Sequence, residues 1–273
     1  MAEPVRRFPI VAERPERGTI VSLAAGDAIH LTRVLRLEVG AAVRLFDGRG
    51  GEFDGEVSEI AGPDMVRVRL LERAAVSAES PLRLTLAQAL LKGGKMDDLI
   101  RQTTELGVTR ILPFFAERSV SRPDPKRLAG KLDRWRRIAR ESLKQCRRSR
   151  EPEVAEPASF ADMLAAGAES EVRLFYWENA AGAARPSDGW GRPGRVNRPA
   201  SVFAVLGPEG GFSEAEAEAA REAGFTPAGL GPRILRAETA AVAACALLQG
   251  RFGDMGWAAA GRGNFFDPFS QTA

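Results

Sequence analysis

Two short segments hold the residues best suited to chemistry. Residues 206–213 read Leu-Gly-Pro-Glu-Gly-Gly-Phe-Ser, and residues 230–240 read Leu-Gly-Pro-Arg-Ile-Leu-Arg-Ala-Glu-Thr-Ala. Gly207, Gly210 and Gly211 permit backbone that a side chain would block, so the main chain there can approach a small molecule closely. An apolar run, 201–205, precedes the first segment, and a stretch without Gly or Pro, 214–223, follows it. The glycines therefore belong to a strand-to-helix turn, and the capping-box spacing of Ser213 and Glu216 puts a helix N-terminus directly beyond it.

A tight turn of purely structural purpose also explains the first segment taken alone. The second segment alters the balance. Gly231 and Pro232 again end a short strand, and Glu238 with Thr239 open the final helix. Two strand ends of an α/β sheet that present such turns make a crevice at the carboxyl edge, the usual ligand position in open sheets. A nucleotide-hydrolysing phosphate loop does not fit, because Phe212 and not Lys follows Gly211, and the dinucleotide spacing Gly-x-Gly-x-x-Gly is absent. The glycine-rich run 47–51 joins two alternating strands and reads as a hairpin.

The elements that position these turns follow from composition and pattern. A chain of 273 residues has room for one large domain, or a small one joined to a medium one. It is 44% hydrophobic and 27% charged, with no apolar run near the roughly 20 residues that span a bilayer. Residues 1–9 carry Arg6 and Arg7 without the apolar stretch of a signal peptide, so a cytoplasmic protein is expected. Cys146 and Cys245 form no Cys-x-x-Cys pair, which argues against zinc and a disulfide framework and for core thiols. A single histidine, His30, leaves no His-based triad or poly-His metal site, and metal-free chemistry is favoured. Net charge is only +3, yet residues 126–150 hold eleven Lys/Arg against two acids, Asp133 and Glu141. That basic stripe points to phosphate contact, with a solvated helix face as the bland alternative.

Residues 1–73 read as a small β-barrel-like domain. Residues 42–46 and 65–71 alternate apolar and polar side chains, with the hairpin signal Asp47-Gly48 between them. One helical stretch holds residues 30–36, with Arg33 and Arg36 on nearly the same face. Residues 74–81 make a linker. Strand and helix then alternate through residues 82–250: strands at 82–90, 108–115 and 172–177, a helix at 96–106 stopped by Gly107, a long helix at 125–146 and a last helix at 238–249. Residues 179–199 form a Pro/Gly/Arg-rich loop, and residues 251–273 form a C-terminal tail without period or caps.

The two glycine segments, Glu105-Leu106-Gly107-Val108 with Glu117-Arg118-Ser119, and His30-Leu31-Thr32-Arg33-Val34-Leu35-Arg36 occur together in one order. In this the chain resembles the ribosomal RNA small subunit methyltransferase E family of the SPOUT superfamily, from about Arg7 to Gln249. The resemblance implies an α/β fold: a PUA-like RNA-binding domain over residues 1–73, then a methyltransferase domain over residues 82–250 whose C-terminal part threads a deep trefoil knot, an exception to the rule that chains do not thread loops. It implies a homodimer, S-adenosylmethionine as cofactor, and as methyl acceptor the N3 of one uridine in the decoding region of 16S rRNA in the small ribosomal subunit. Leu206, Gly207, Pro208, Glu209, Gly210, Gly211, Leu230, Gly231, Ile234 and Leu235 would wrap the cofactor.

Uracil N3 carries a proton, so methylation needs that proton removed or the developing anion stabilised. Glu238 and Arg236 are the first candidates for these tasks, with Arg140 and Arg118 behind them, although a helix-dipole role explains Glu238 equally well. Alignment of donor and acceptor supplies much of the rate in such a transfer, and a flipped target base would be required. For RNA contact the candidates are Arg7, Arg33, Arg36, Arg136, Arg140, Gln145 and Arg148. The chain departs from the family where Glu-Gln-x-Gly-Arg becomes Lys144-Gln145-Cys146-Arg147-Arg148, at Gln102 where Lys is frequent, and at Ala237 where Thr is frequent. Two other readings stay open: a knotted methyltransferase acting on tRNA or another rRNA site, and a non-catalytic RNA-binding or assembly factor of the same fold.

Overall fold

Val43 and Leu45, like Val66, Val68 and Leu70, alternate with more exposed residues, and all five are buried in the core of a five-stranded sheet. The structure is a computed structural model describing residues 5–74, 78–120, 124–178 and 198–255. The first elements are β1 (Arg7–Pro9), β2 (Ile20–Ser22), α1 (Ala25–Ile29), β3 (Ala42–Phe46), β4 (Glu52–Gly62) and β5 (Met65–Arg73). The strand order is β1-β3-β4-β5-β2, with β1 parallel to β3 and the remaining pairs antiparallel.

Two expectations for this region are corrected. The Asp47-Gly48 turn joins β3 to β4, not to residues 65–71, and β4 then pairs with β5. In β4 a glycine occupies an inward position: a Cβ on Gly55 would come within 2.9 Å of a Leu45 methyl, so the apolar alternation that marks a strand is broken there. Residues 30–36 are not one α-helix. A π-turn, His30–Val34, follows α1, Leu35 N–H donates to His30 O and Leu37 N–H to Leu31 O, and Arg36 has φ +53°. Arg33 and Arg36 therefore share no helical face.

The second series comprises β6 (Arg83–Ala89), α2 (Lys95–Glu105), β7 (Arg110–Phe114), α3 (Pro125–Cys146), β8 (Glu153–Val154), α4 (Phe160–Ala166), β9 (Val172–Tyr176), β10 (Ser201–Leu206), α5 (Glu214–Glu222), β11 (Thr226–Ala228) and α6 (Ala237–Phe252). The six-stranded sheet runs β11-β9-β10-β6-β7-β8, and the pairs among β11, β9, β10, β6 and β7 are parallel. All six residues of β10 are buried, as a central parallel strand covered on both faces requires. Phe114, Phe175, Phe203, Phe212 and Phe225 fill the core on one side together with Met163. On α6, which packs on β6, β10 and α2, Gln249 donates to Gly107 O at 3.1 Å and accepts from Ser80 Oγ at 2.7 Å.

The chain divides into two compact units, residues 1–79 with 133–153, and residues 80–132 with 154–273. The dividing line between them runs through α3. Polar contacts explain why 133–153 goes with the first unit. Arg7 donates to Leu143 O at 3.0 Å and Arg148 O at 3.1 Å, Lys144 pairs with Asp27 at 2.7 Å, and Gly50 N–H donates to Ser149 O at 3.0 Å. Residues 75–77 of the linker, 179–197 of the loop and 256–273 of the tail lie outside the described residues.

Candidate active site

Parallel pairing places Gln88, Leu206, Tyr176 and Ala228 in one row across β6, β10, β9 and β11. Because these strands run in one direction, the chain leaves the sheet along a single carboxyl edge just past this row, at Gly207, Trp177 and Gly229. Gln88, fully buried, holds the first turn by donating from Nε2 to Gly207 O and to Ala89 O, both at 3.0 Å. Phe212 anchors the far side of the turn, its ring 4.3 Å from that of Phe175, and a Cβ on Gly207 would stand 3.0 Å from the Phe212 ring. Gly211 has φ +67°, and a Cβ there would also meet a Glu178 oxygen at 2.5 Å. At that position only glycine combines the backbone conformation with the space.

Ser213 then caps α5 with the full capping box to Glu216. Glu216 also accepts the Glu117 N–H at 2.8 Å, and Ser213 Oγ donates to Glu117 at 2.6 Å. This fixes the segment that carries Arg118, whose guanidinium donates to Gly210 O at 3.3 Å.

The second segment leaves β11, passes Gly231 at φ +100°, and enters α6 at Arg236, which caps the helix without a side-chain hydrogen bond. The two segments enclose a pocket of about 870 Å³ lined by Leu206 to Glu209, Gly211, Phe212, Tyr176 to Glu178, Ala228 to Ala237, Ala240 and Lys95. Its size is that of a site for a drug-sized molecule. Nine of the ten residues named for the cofactor line it; Gly210 does not, because its backbone is turned toward Arg118. Ile234 is among the lining residues although it is 91% exposed.

One cation, overlooked in the sequence, ties the pocket together. Lys95 Nζ lies 3.1 Å from Glu209 Oε1 and 3.2 Å from Glu238 Oε2, and Lys92 N–H donates to Glu209 Oε1 at 3.1 Å. Glu209 and Glu238 hold the Lys95 ammonium above the usual lysine value. At Glu209 burial opposes the charge, but its own backbone N–H, that of Lys92 and the Lys95 ammonium outweigh it and keep the carboxyl below its usual range. The signal was Lys92-Gly93-Gly94-Lys95, another glycine pair between a strand and a helix. Tyr176, Trp177 and Glu178 were also missed, since nothing at the end of β9 marks a ligand site, and Arg233, although inside the second glycine segment, was given no role.

Among the catalytic candidates, Arg236 lines the pocket and Glu238 reaches it through Lys95. Arg118 lies beside Gly210, off the lining. Arg140 belongs to the first unit, where its Nε and Nη2 donate to the Glu151 carboxylate at 3.0 and 3.2 Å. Two residues named for RNA contact are turned inward: Arg7 against Glu52 and over the Phe46 ring, and Arg148, 2% exposed, against Glu79 at 3.0 Å. Burial drives the Arg7 guanidinium below its ordinary value although Glu52 opposes this. Arg33, Arg36 and Gln145 are exposed, and Arg136 is half-buried. His30 sets its ring edge-on to Phe8, 6.4 Å away.

Two family descriptions match this chain: an RNA methyltransferase domain over residues 78–249 and an RNA methyltransferase PUA domain over residues 24–71. The chain is 35% identical to the ribosomal RNA small subunit methyltransferase E of a Synechocystis species, over 84% of its own length and 72% of that protein's. It is 30% identical to the protein of that name from Bacillus subtilis, over 85% and 90% of the two chains. A solved structure of the Neisseria gonorrhoeae enzyme of the same name, bound to S-adenosylmethionine, superposes with a TM-score of 0.79 at 33% identity, covering 92% of this chain and 99% of that one.

Proposed function

The chain belongs to the ribosomal RNA small subunit methyltransferase E family, and we propose that it moves a methyl group from S-adenosylmethionine to N3 of one uridine in the decoding region of 16S rRNA, on the small ribosomal subunit. The observation that carries the reading is the pocket where both glycine segments meet at the carboxyl edge of the parallel sheet. The residues fit the cofactor. Tyr176 Oη and Trp177 Nε1 are buried without a hydrogen-bond partner among the described residues, leaving polar hydrogens for a ligand rich in nitrogen and oxygen. Leu206, Leu230, Ala228 and Ala240 give apolar cover for an adenine, and the backbone of the two turns can meet its edge.

The cofactor supplies an electrophilic methyl group on sulfur. The protein's part is to hold the two partners in line, which is worth several kcal/mol of a barrier, up to about 7–11 in well-aligned cases. In this reading Arg236 stabilises the charge that develops on a uracil oxygen as N3 loses its proton. Glu238 accepts that proton, with Lys95 at 3.2 Å balancing the carboxylate. Arg118 holds the Gly210 carbonyl and so supports the first turn.

Three further expectations join the proposal. Family membership supports a trefoil knot in the C-terminal part of the second unit. The helix α6 supports a homodimer: its middle turns, residues 240–248, are apolar on every side, and Leu247 there remains 47% exposed, as in a helix that awaits a partner. No helix among the described residues is long and apolar enough to cross a membrane, and we place the protein in the cytoplasm with the ribosomal subunit. The test is transfer of labelled methyl from S-adenosylmethionine to small subunits that lack the modification, followed by nucleoside analysis.

A further inference from the structure

Several cations of the basic helix and its surroundings are paired inside the first unit. Arg140 pairs with Glu151, Lys144 with Asp27 and Glu141, Arg148 with Glu79, and Arg7 with Glu52. At Lys144 burial opposes the charge, yet Asp27 and Glu141 prevail and raise its pKa. The residue after α3 is different. Arg147 has φ +66°, is exposed, and makes no hydrogen bond or ion pair with any described residue. Arg36, at φ +53°, shares all three properties. These two are the non-glycine residues with left-handed backbone among those described.

A left-handed residue just past a helix end is ordinarily glycine, because a Cβ is strained there. An arginine at such a place weakens the fold and gains no contact within it, so the use of its guanidinium lies outside the chain. The fork of five N–H donors matches phosphate oxygens, and the proposed substrate is a polyanion. We propose that Arg147 and Arg36 are phosphate contacts of the substrate RNA, in place of the internally paired arginines of the α3 stripe. This rests on the reading that the substrate is RNA.

Arg147→Gly and Arg36→Gly test it, since glycine relieves the strain and cannot unfold either turn. Binding of the full-length variants to unmodified small subunits is titrated at several salt concentrations, alongside thermal melting and S-adenosylmethionine affinity. Each variant is expected to melt no lower than the parent, to bind cofactor unchanged, and to bind subunits roughly three- to tenfold more weakly, with a salt slope reduced by about one. Arg147→Lys should keep the slope. Unchanged subunit affinity and slope in the glycine variants would overturn the inference. A parent protein that binds cofactor but no ribosomal RNA would instead remove the reading beneath it.

Discussion

Lys95 and Glu238 meet at 3.2 Å, and through the 3.1 Å contact of the same ammonium with Glu209 the start of α2, the first glycine turn and the first turn of α6 are joined at one point. All three segments border the pocket. The clamp is half-open to water, so its effect on overall stability is small, whereas its effect on the shape of the site is direct. Lys95→Met should move Tm by less than about 3 °C yet weaken S-adenosylmethionine roughly tenfold by calorimetry, and Lys95→Arg should recover most of it.

The clamp also sets a pH window. Glu209 is held below its ordinary value of 4.5, so its contribution is present above that pH and lost as pH falls through the lower folded value. Lys95 is held above 10.5, so its contribution is complete below that pH and lost as pH rises through the higher folded value. Cofactor affinity is therefore expected to be flat between these limits and to fall outside them. In Glu209→Gln the acid-side fall should vanish along with part of the affinity, which calorimetry over a pH series would detect.

Gly211 combines a left-handed backbone with a carboxylate where a Cβ would sit. Gly211→Ala should cost about 1–2 kcal/mol of stability from the backbone alone, and more from displacement of Glu178. Cofactor binding should fall by at least about tenfold. Gly231→Ala meets the same left-handed penalty at φ +100° but open space, so it should be the milder of the two in urea unfolding and in binding.

Glu79 receives Arg148 at 3.0 Å and the N–H groups of Ser149 and Arg150 at 2.9 and 2.8 Å. Removing the carboxylate takes the Glu79 ion pair from a guanidinium whose side chain is 3% exposed. Glu79→Ala should destabilise the protein by about 3 kcal/mol in urea unfolding while leaving cofactor affinity near the parent value.

Much of this was legible beforehand. Glycine spacing at 207–211, the Ser213–Glu216 box and the Gly107 stop located the strand ends and helix starts of the second unit, because each has a local backbone cause. What escaped depended on long-range pairing. Gly55 hid β4, since its place is filled by Leu45 from the neighbouring strand. The count of cations along α3 suggested an exposed stripe, but Glu79, Asp27 and Glu151 lie far from or beyond that helix in sequence and cancel part of it. Lys95 joined the site only when the sheet brought residue 209 and residue 238 to it.

The most direct test is methyl transfer from labelled S-adenosylmethionine to small ribosomal subunits lacking the modification. The account predicts label in 16S rRNA, released on digestion as N3-methyluridine, and abolished by Gly211→Val in a protein that still melts cooperatively. Label in another nucleoside or another RNA, or cofactor binding without transfer to the subunit, would contradict it.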